Sequence, residues 1–182
     1  DSLRVAFRGT EDKTRAAGGV LRYGLKSAGE KEVAFKAAEK HVLELKDLAA
    51  DAEYQYQLKL GDYESPIYRF RTSAKRGARA EKTKLGIFFD FHCHSPQEFE
   101  AKEKGADGFF QRFSYATADT KKFAPDMLIL GGDIVNLGDR REEYDTFFRI
   151  MRELCANAIC VPVPGNHEWS YDKDLSVYAD YW

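Results

Sequence analysis

The sequence predicts two folds in series, an antiparallel β-sandwich over residues 1–74 and an α/β layered domain over residues 84–182. Three observations predict this. Apolar residues alternate strictly through the first part, the period of strands with one buried face. After a basic stretch they fall instead into short continuous runs, separated by segments with apolar residues three and four positions apart, the rhythm of a parallel α/β layer. Three short polar signatures then follow apolar runs, at the strand ends where open α/β sheets gather ligands.

The chain of 182 residues is 43% hydrophobic and 14% aromatic, enough to build packed cores. Its 28 basic and 30 acidic residues leave a formal charge of -2, so no global field draws in nucleic acid or an anionic membrane surface. An anionic ligand must be held by a local site. No apolar run approaches the ~20 residues of a membrane span, and Asp1-Ser2-Leu3-Arg4 does not open like a secretory signal. The three cysteines, Cys93, Cys155 and Cys160, contain no C-x-x-C pair, so neither a disulfide framework nor a structural zinc site is indicated. Cys155 and Cys160 read as ordinary buried thiols.

In chain order, Leu3, Val5 and Phe7 form the first alternating run, Tyr54, Tyr56, Leu58 and Leu60 another, and Tyr68 with Phe70 the third. Turn chemistry separates them at Ala17-Gly18-Gly19, Ser27-Ala28-Gly29, Gly61-Asp62 and Ser65-Pro66. Residues 75–83 are basic, small and aperiodic, hence a linker. Beyond it, Leu85 to Phe89, Met127 to Leu130 and Ile159 to Val163 read as buried strands, the last despite Pro162. Helices are expected over Gly108 to Phe123 and Glu142 to Ala156, where Tyr144, Phe147, Phe148, Met151 and Leu154 share one face.

The signatures carry the chemistry. Asp90 and His92 are one residue apart after Ile87-Phe88-Phe89, so a strand continuing through them would point both side chains the same way, toward one cation. Asp133 follows Gly131-Gly132, which let the backbone turn sharply and a metal or phosphate come close. Gly165-Asn166-His167-Glu168 sets an amide oxygen beside an imidazole, one group for a metal and one for phosphoryl oxygens. Each signature alone is also a common turn; in order and at three strand ends they argue together for a site.

Two resemblances rest on these residues. The spacing from Leu48 to Tyr54, with Tyr56 and Phe70-Arg71-Thr72, resembles the tyrosine corner of fibronectin type III domains, although Ala50 and Ala52 stand where proline and threonine are usual. Asp90-Phe91-His92, Gly132-Asp133 and Gly165-Asn166-His167-Glu168 resemble the start of a calcineurin-like metallophosphoesterase, and the leading sandwich resembles the one before the catalytic domain of purple acid phosphatases. The resemblance implies hydrolysis of phosphate esters at a dinuclear centre by a metal-activated water. Asp90 and His92 would bind the first metal, Asp133 would bridge both, Asn166 would bind the second, and His167 would contact the substrate phosphate. Two divalent or trivalent ions are implied, with manganese, iron or zinc suiting the oxygen and nitrogen donors. Asn136 stands where the purple enzymes carry a tyrosine ligand, so the wider family is the better match. Export to the periplasm or cell exterior is implied by the resemblance alone.

That family also supplies later histidines, and none follows His167 here, so the chain reads as a fragment that would bind metal weakly and turn over little. Two alternatives stand beside this reading. Asp90, His92 and His94 also resemble the first metal motif of polymerase and histidinol phosphatase-type hydrolases. A truncated or non-catalytic interaction module is the other. His41, within the expected sandwich, reads as structural.

Overall fold

A computed structural model describes residues 2–9, 17–79, 82–96 and 109–182. The expected helix start at Gly108 and the linker residues Ala80 and Glu81 lie outside the described residues. The chain divides into two compact units, Asp1–Glu81 and Lys82–Trp182.

The first unit carries strands β1 (Leu3–Arg8), β2 (Gly19–Gly24), β3 (Lys31–Phe35), β4 (Lys40–Leu45), β5 (Glu53–Leu60), β6 (Tyr63–Glu64) and β7 (Tyr68–Arg71). β1 pairs with β4, while the other five form a sheet ordered β3-β2-β5-β6 with β7 also on β5, every pairing antiparallel. Register explains the alternation. Leu21 lies opposite Leu58, Tyr23 opposite Tyr56, and Tyr54 opposite Phe70, so the apolar positions of three strands share one buried face. Burying side chains such as Leu21 and Leu58 contributes roughly 1.5–3 kcal/mol each.

The bend that leads into β5 is closed by hydrogen bonds. The Ala49 amide donates to the Tyr54 hydroxyl at 2.8 Å, Thr72 Oγ1 donates to the Ala49 carbonyl at 2.7 Å, and Arg71 Nη2 meets Asp51 Oδ1 at 2.8 Å. Each link satisfies a backbone or charged group at a bend that the flanking ladder cannot reach. His41 is buried between aromatic rings, its centroid 4.8 Å from Phe7 and 4.6 Å from Phe35.

The second unit runs β8 (Leu85–Phe88), α1 (Phe109–Phe123), β9 (Met127–Leu130), α2 (Arg141–Ala156), β10 (Ile159–Pro162), α3 (Asn166–Tyr171) and α4 (Ser176–Tyr181). The three strands form a parallel sheet ordered β10-β9-β8. Leu128 and Leu130 on one face are fully buried with Tyr144, Phe147 and Met151 of α2, the helix stripe read from the sequence. Phe148 is only partly buried beside it. Pro162 is tolerated because β10 is an edge strand among the described residues, and pairing resumes where the Val163 amide donates to the Leu130 carbonyl.

Three expectations are corrected here. β8 was expected to be buried on both faces, yet Leu85 and Ile87 are 42% and 50% exposed, because the alternate face of this edge strand carries no covering layer among the described residues. The buried thiol is Cys93; Cys155 and Cys160 are partly buried. The strand also ends at Phe88, short of the first signature.

Candidate metal centre

The first signature leaves the strand in an unusual backbone. Asp90 and His92 have φ of 51° and 43°, and Asp133 has 47°, all in the left-handed region that side chains with a Cβ adopt at a cost of about 1–3 kcal/mol each. A continuing strand therefore does not aim Asp90 and His92, as the one-residue spacing suggested. Backbone pairing does instead. Past the strand ends the loops after β8 and β9 run side by side: the His92 amide donates to the Asp133 carbonyl at 2.8 Å, Cys93 to Ile134 at 3.0 Å, and Asn136 back to Cys93 at 2.9 Å. Gly132, with φ of 103°, lies so close to the third loop that a Cβ would sit 2.7 Å from Gly165 Cα.

The third loop is fastened to the second by one carboxylate. Glu168, fully buried in α3, accepts hydrogen bonds from the amides of Asp133 (2.9 Å), Ile134 (2.7 Å), Val135 (3.1 Å) and Gly165 (2.7 Å). A buried carboxylate is tolerable only with such compensation. Glu143 of α2 does the same for the amides of Asn136 and Leu137, each at 2.8 Å. Only the three-residue step from Gly165 to Glu168, the spacing of a capping box, is visible in the sequence; the contacts of Glu168 and Glu143 to the loop after β9 gave no signal. Gly165 is equally constrained, since a Cβ there would lie 2.2 Å from Asp133 Oδ1.

These fastenings bring ligating atoms together. One atom each from His92, Asp133 and His167 falls within 4.8 Å of the others. The imidazoles of His92 and His167 meet edge to face with centroids 4.4 Å apart. Asp133 Oδ1 accepts the His167 amide proton at 2.8 Å, which leaves its second oxygen available. His167 Nδ1 lies 2.7 Å from the Asn136 carbonyl, and a carbonyl only accepts, so Nδ1 carries the proton and Nε2 is left for a ligand. Asp90 lies outside the group of three, its side chain 71% exposed and Oδ1 3.9 Å from His92 Nε2. Asn166 opens α3 next to His167 and is exposed. His94 is not one of the grouped ligands.

The donor set fits a cation. Imidazole nitrogen and carboxylate oxygen suit the borderline and hard metals named from the sequence. Thiolate does not compete, because burial and the nearby Glu143 push the Cys93 thiol up to about 12.

Residues 84–182, which include all three signatures, match the calcineurin-like phosphoesterase family. The chain belongs to this family. Two solved structures are similar in fold. The structure of purple acid phosphatase PPD1 from yellow lupin (Lupinus luteus) seeds is 18% identical with a TM-score of 0.65, over 92% of this chain and 33% of that one. The structure of PhoD is 14% identical with a TM-score of 0.69, over 92% of this chain and 37% of that one. The family member described here thus spans about a third of the length of each. No curated protein sequence matches it. Membership in this phosphoesterase family implies divalent or trivalent metal ions. No helix among the described residues is long and apolar enough to cross a membrane.

Proposed function

We propose that the second unit carries one side of a dinuclear metal centre that hydrolyses phosphate esters. The observation that carries this reading is the convergence of His92, Asp133 and His167 from three separate strand ends into one ligand group. Asp90 and His92 would hold one ion, Asp133 would bridge, and Asn166 would hold the second. Bound there, cations neutralise the oxygens of an anionic ester and lower the pKa of a water molecule.

The chain's own groups set the rest. Loops fixed by Glu168 and Glu143 hold the donors at fixed separation, so little reorganisation is needed when an ester arrives. His167, anchored through Nδ1 on the Asn136 carbonyl, presents Nε2 to the phosphoryl group, where only the doubly protonated ring donates a hydrogen bond or passes a proton to the leaving oxygen. A second reading of His167, as a ligand itself, is favoured by its place in the 4.8 Å group. His167→Ala separates the two: loss of turnover with metal affinity kept supports the phosphate contact, and loss of both supports ligation.

The two antiparallel sheets of the first unit we read as the leaves of a type III-like sandwich over residues 1–74, joined by a linker at 75–83 to the phosphoesterase domain at 84–182. The Tyr54 corner supports this, as does Phe7 of β1 meeting Phe35 of β3, from the other sheet, at 5.2 Å. The test of function is turnover of an aryl phosphate and a diaryl phosphate by the manganese-loaded chain. Slow, chelator-sensitive release of phenolate that Asp133→Asn abolishes is expected; turnover that survives either treatment overturns the reading.

A further inference from the structure

We propose that Cys155 and Cys160 are a redox modification site that closes to a disulfide joining the end of α2 to the start of β10. Both thiols are free and partly buried, neither belongs to the metal centre, and only a short connection through Asn157 and Ala158 separates the elements that carry them. The Cys160 thiol is turned back toward the helix end, with Sγ 3.9 Å from the Cys155 carbonyl and 3.8 Å from the Ala158 carbonyl. A hydrogen bond between the two thiols, reinforced by burial, pushes Cys155 well above the ordinary thiol range. The Cys160 sulfur thus packs against the Cys155 residue itself, the kind of approach that the mixed-disulfide route needs, in which one thiolate attacks the sulfur already bonded to the oxidant on its neighbour.

Cys93 is the internal control. It is 2% exposed and lies on a different strand-end loop, the one that follows β8. It should stay reduced. With glutathione disulfide as oxidant the step balances: the more exposed thiolate of the pair attacks the oxidant and releases one glutathione, and the second cysteine then attacks that mixed disulfide, releases another and leaves the protein disulfide. Two protons and two electrons pass from the pair to the oxidant.

The consequence lies at β10. This edge strand leads through Val163 and Pro164 into Gly165–Glu168, the loop fastened to Asp133, so a covalent tie at its first turn anchors one wall of the centre. The test incubates the folded full chain in glutathione buffers from reduced to oxidised, quenches with N-ethylmaleimide and reads intact mass and mapped peptides. Loss of two hydrogens with a cross-linked Cys155–Cys160 peptide and unlinked Cys93 is expected. In Cys155→Ser the same oxidant should leave a stable glutathione adduct on Cys160, and Cys160→Ser should be examined in parallel in case one variant fails to fold. Stable monoglutathionylation of the wild type, a link involving Cys93, or no oxidation across the whole series overturns the proposal.

Discussion

Removing the Glu168 carboxylate takes the acceptor from four amides, those of Asp133, Ile134, Val135 and Gly165, and three of those residues form the turn that presents Asp133. A buried donor left without a partner costs about 1–3 kcal/mol. Glu168→Ala should therefore lower the stability of the second unit by roughly 3–5 kcal/mol in urea unfolding; a loss under about 1 kcal/mol would show that these amides find other acceptors. Gly165→Ala probes position as well as stability. Its methyl would meet Asp133 Oδ1 at 2.2 Å and the Asp133 amide nitrogen at 2.4 Å, so the loop that carries the carboxylate must move, and metal affinity should fall about tenfold or more while far-ultraviolet circular dichroism keeps its native shape. Unchanged affinity in a titration would place Asp133 outside the site. Little of this was legible in the sequence. Asp90, His92, Asp133, Asn166 and His167 could be picked out by type and order. The left-handed backbone at Asp90, His92 and Asp133 had no signal, because none is glycine and tertiary pairing imposes it. Glu168 sat in the third signature without a role, since three of its four partners lie 33 to 35 residues upstream.

At the scale of elements, legibility follows burial. β5 and β7 could be read because Tyr54, Tyr56, Leu58, Leu60, Tyr68 and Phe70 are all buried on alternate positions. β3 escaped because most of its residues are exposed, which erases the period. α3 and α4 have six residues each, too short for a 3.6-residue period to register. β1, β3 and β4 also carry a testable pH response through His41. Burial among Phe7, Phe35 and the strand backbones lowers its pKa below the ordinary imidazole value of about 6.5, against smaller opposing hydrogen bonds to Ala38 and Ala17. The unfolded chain then binds the proton more readily than the folded one. Stability from this group is complete above about 6.5 and is lost as pH falls toward the depressed folded value. Urea unfolding by circular dichroism should thus show the first unit weakening between neutral and mildly acidic pH, with His41→Phe flattening the slope. An identical slope in that variant would assign the acid response elsewhere.

For the whole molecule, the α/β order and the ends where the signatures fall followed from hydrophobic period alone, whereas the uncovered face of β8 did not, because a short apolar run looks the same whether one face or both are buried. The proposed centre is a property of the folded second unit: its donors come from loops after β8, β9 and β10, and unfolding scatters them. A cation held there must stabilise that unit, by about 2.7 kcal/mol at a hundredfold excess over Kd. Both tryptophans, Trp169 and Trp182, lie in this unit, so their fluorescence reports its unfolding alone. The most direct test is thermal unfolding followed by tryptophan fluorescence across a manganese(II) titration, for the native chain and for Asp133→Asn. A midpoint that climbs with manganese in the native chain and stays fixed in Asp133→Asn is the predicted result; no climb, or an equal climb in both, would contradict a metal site at Asp133.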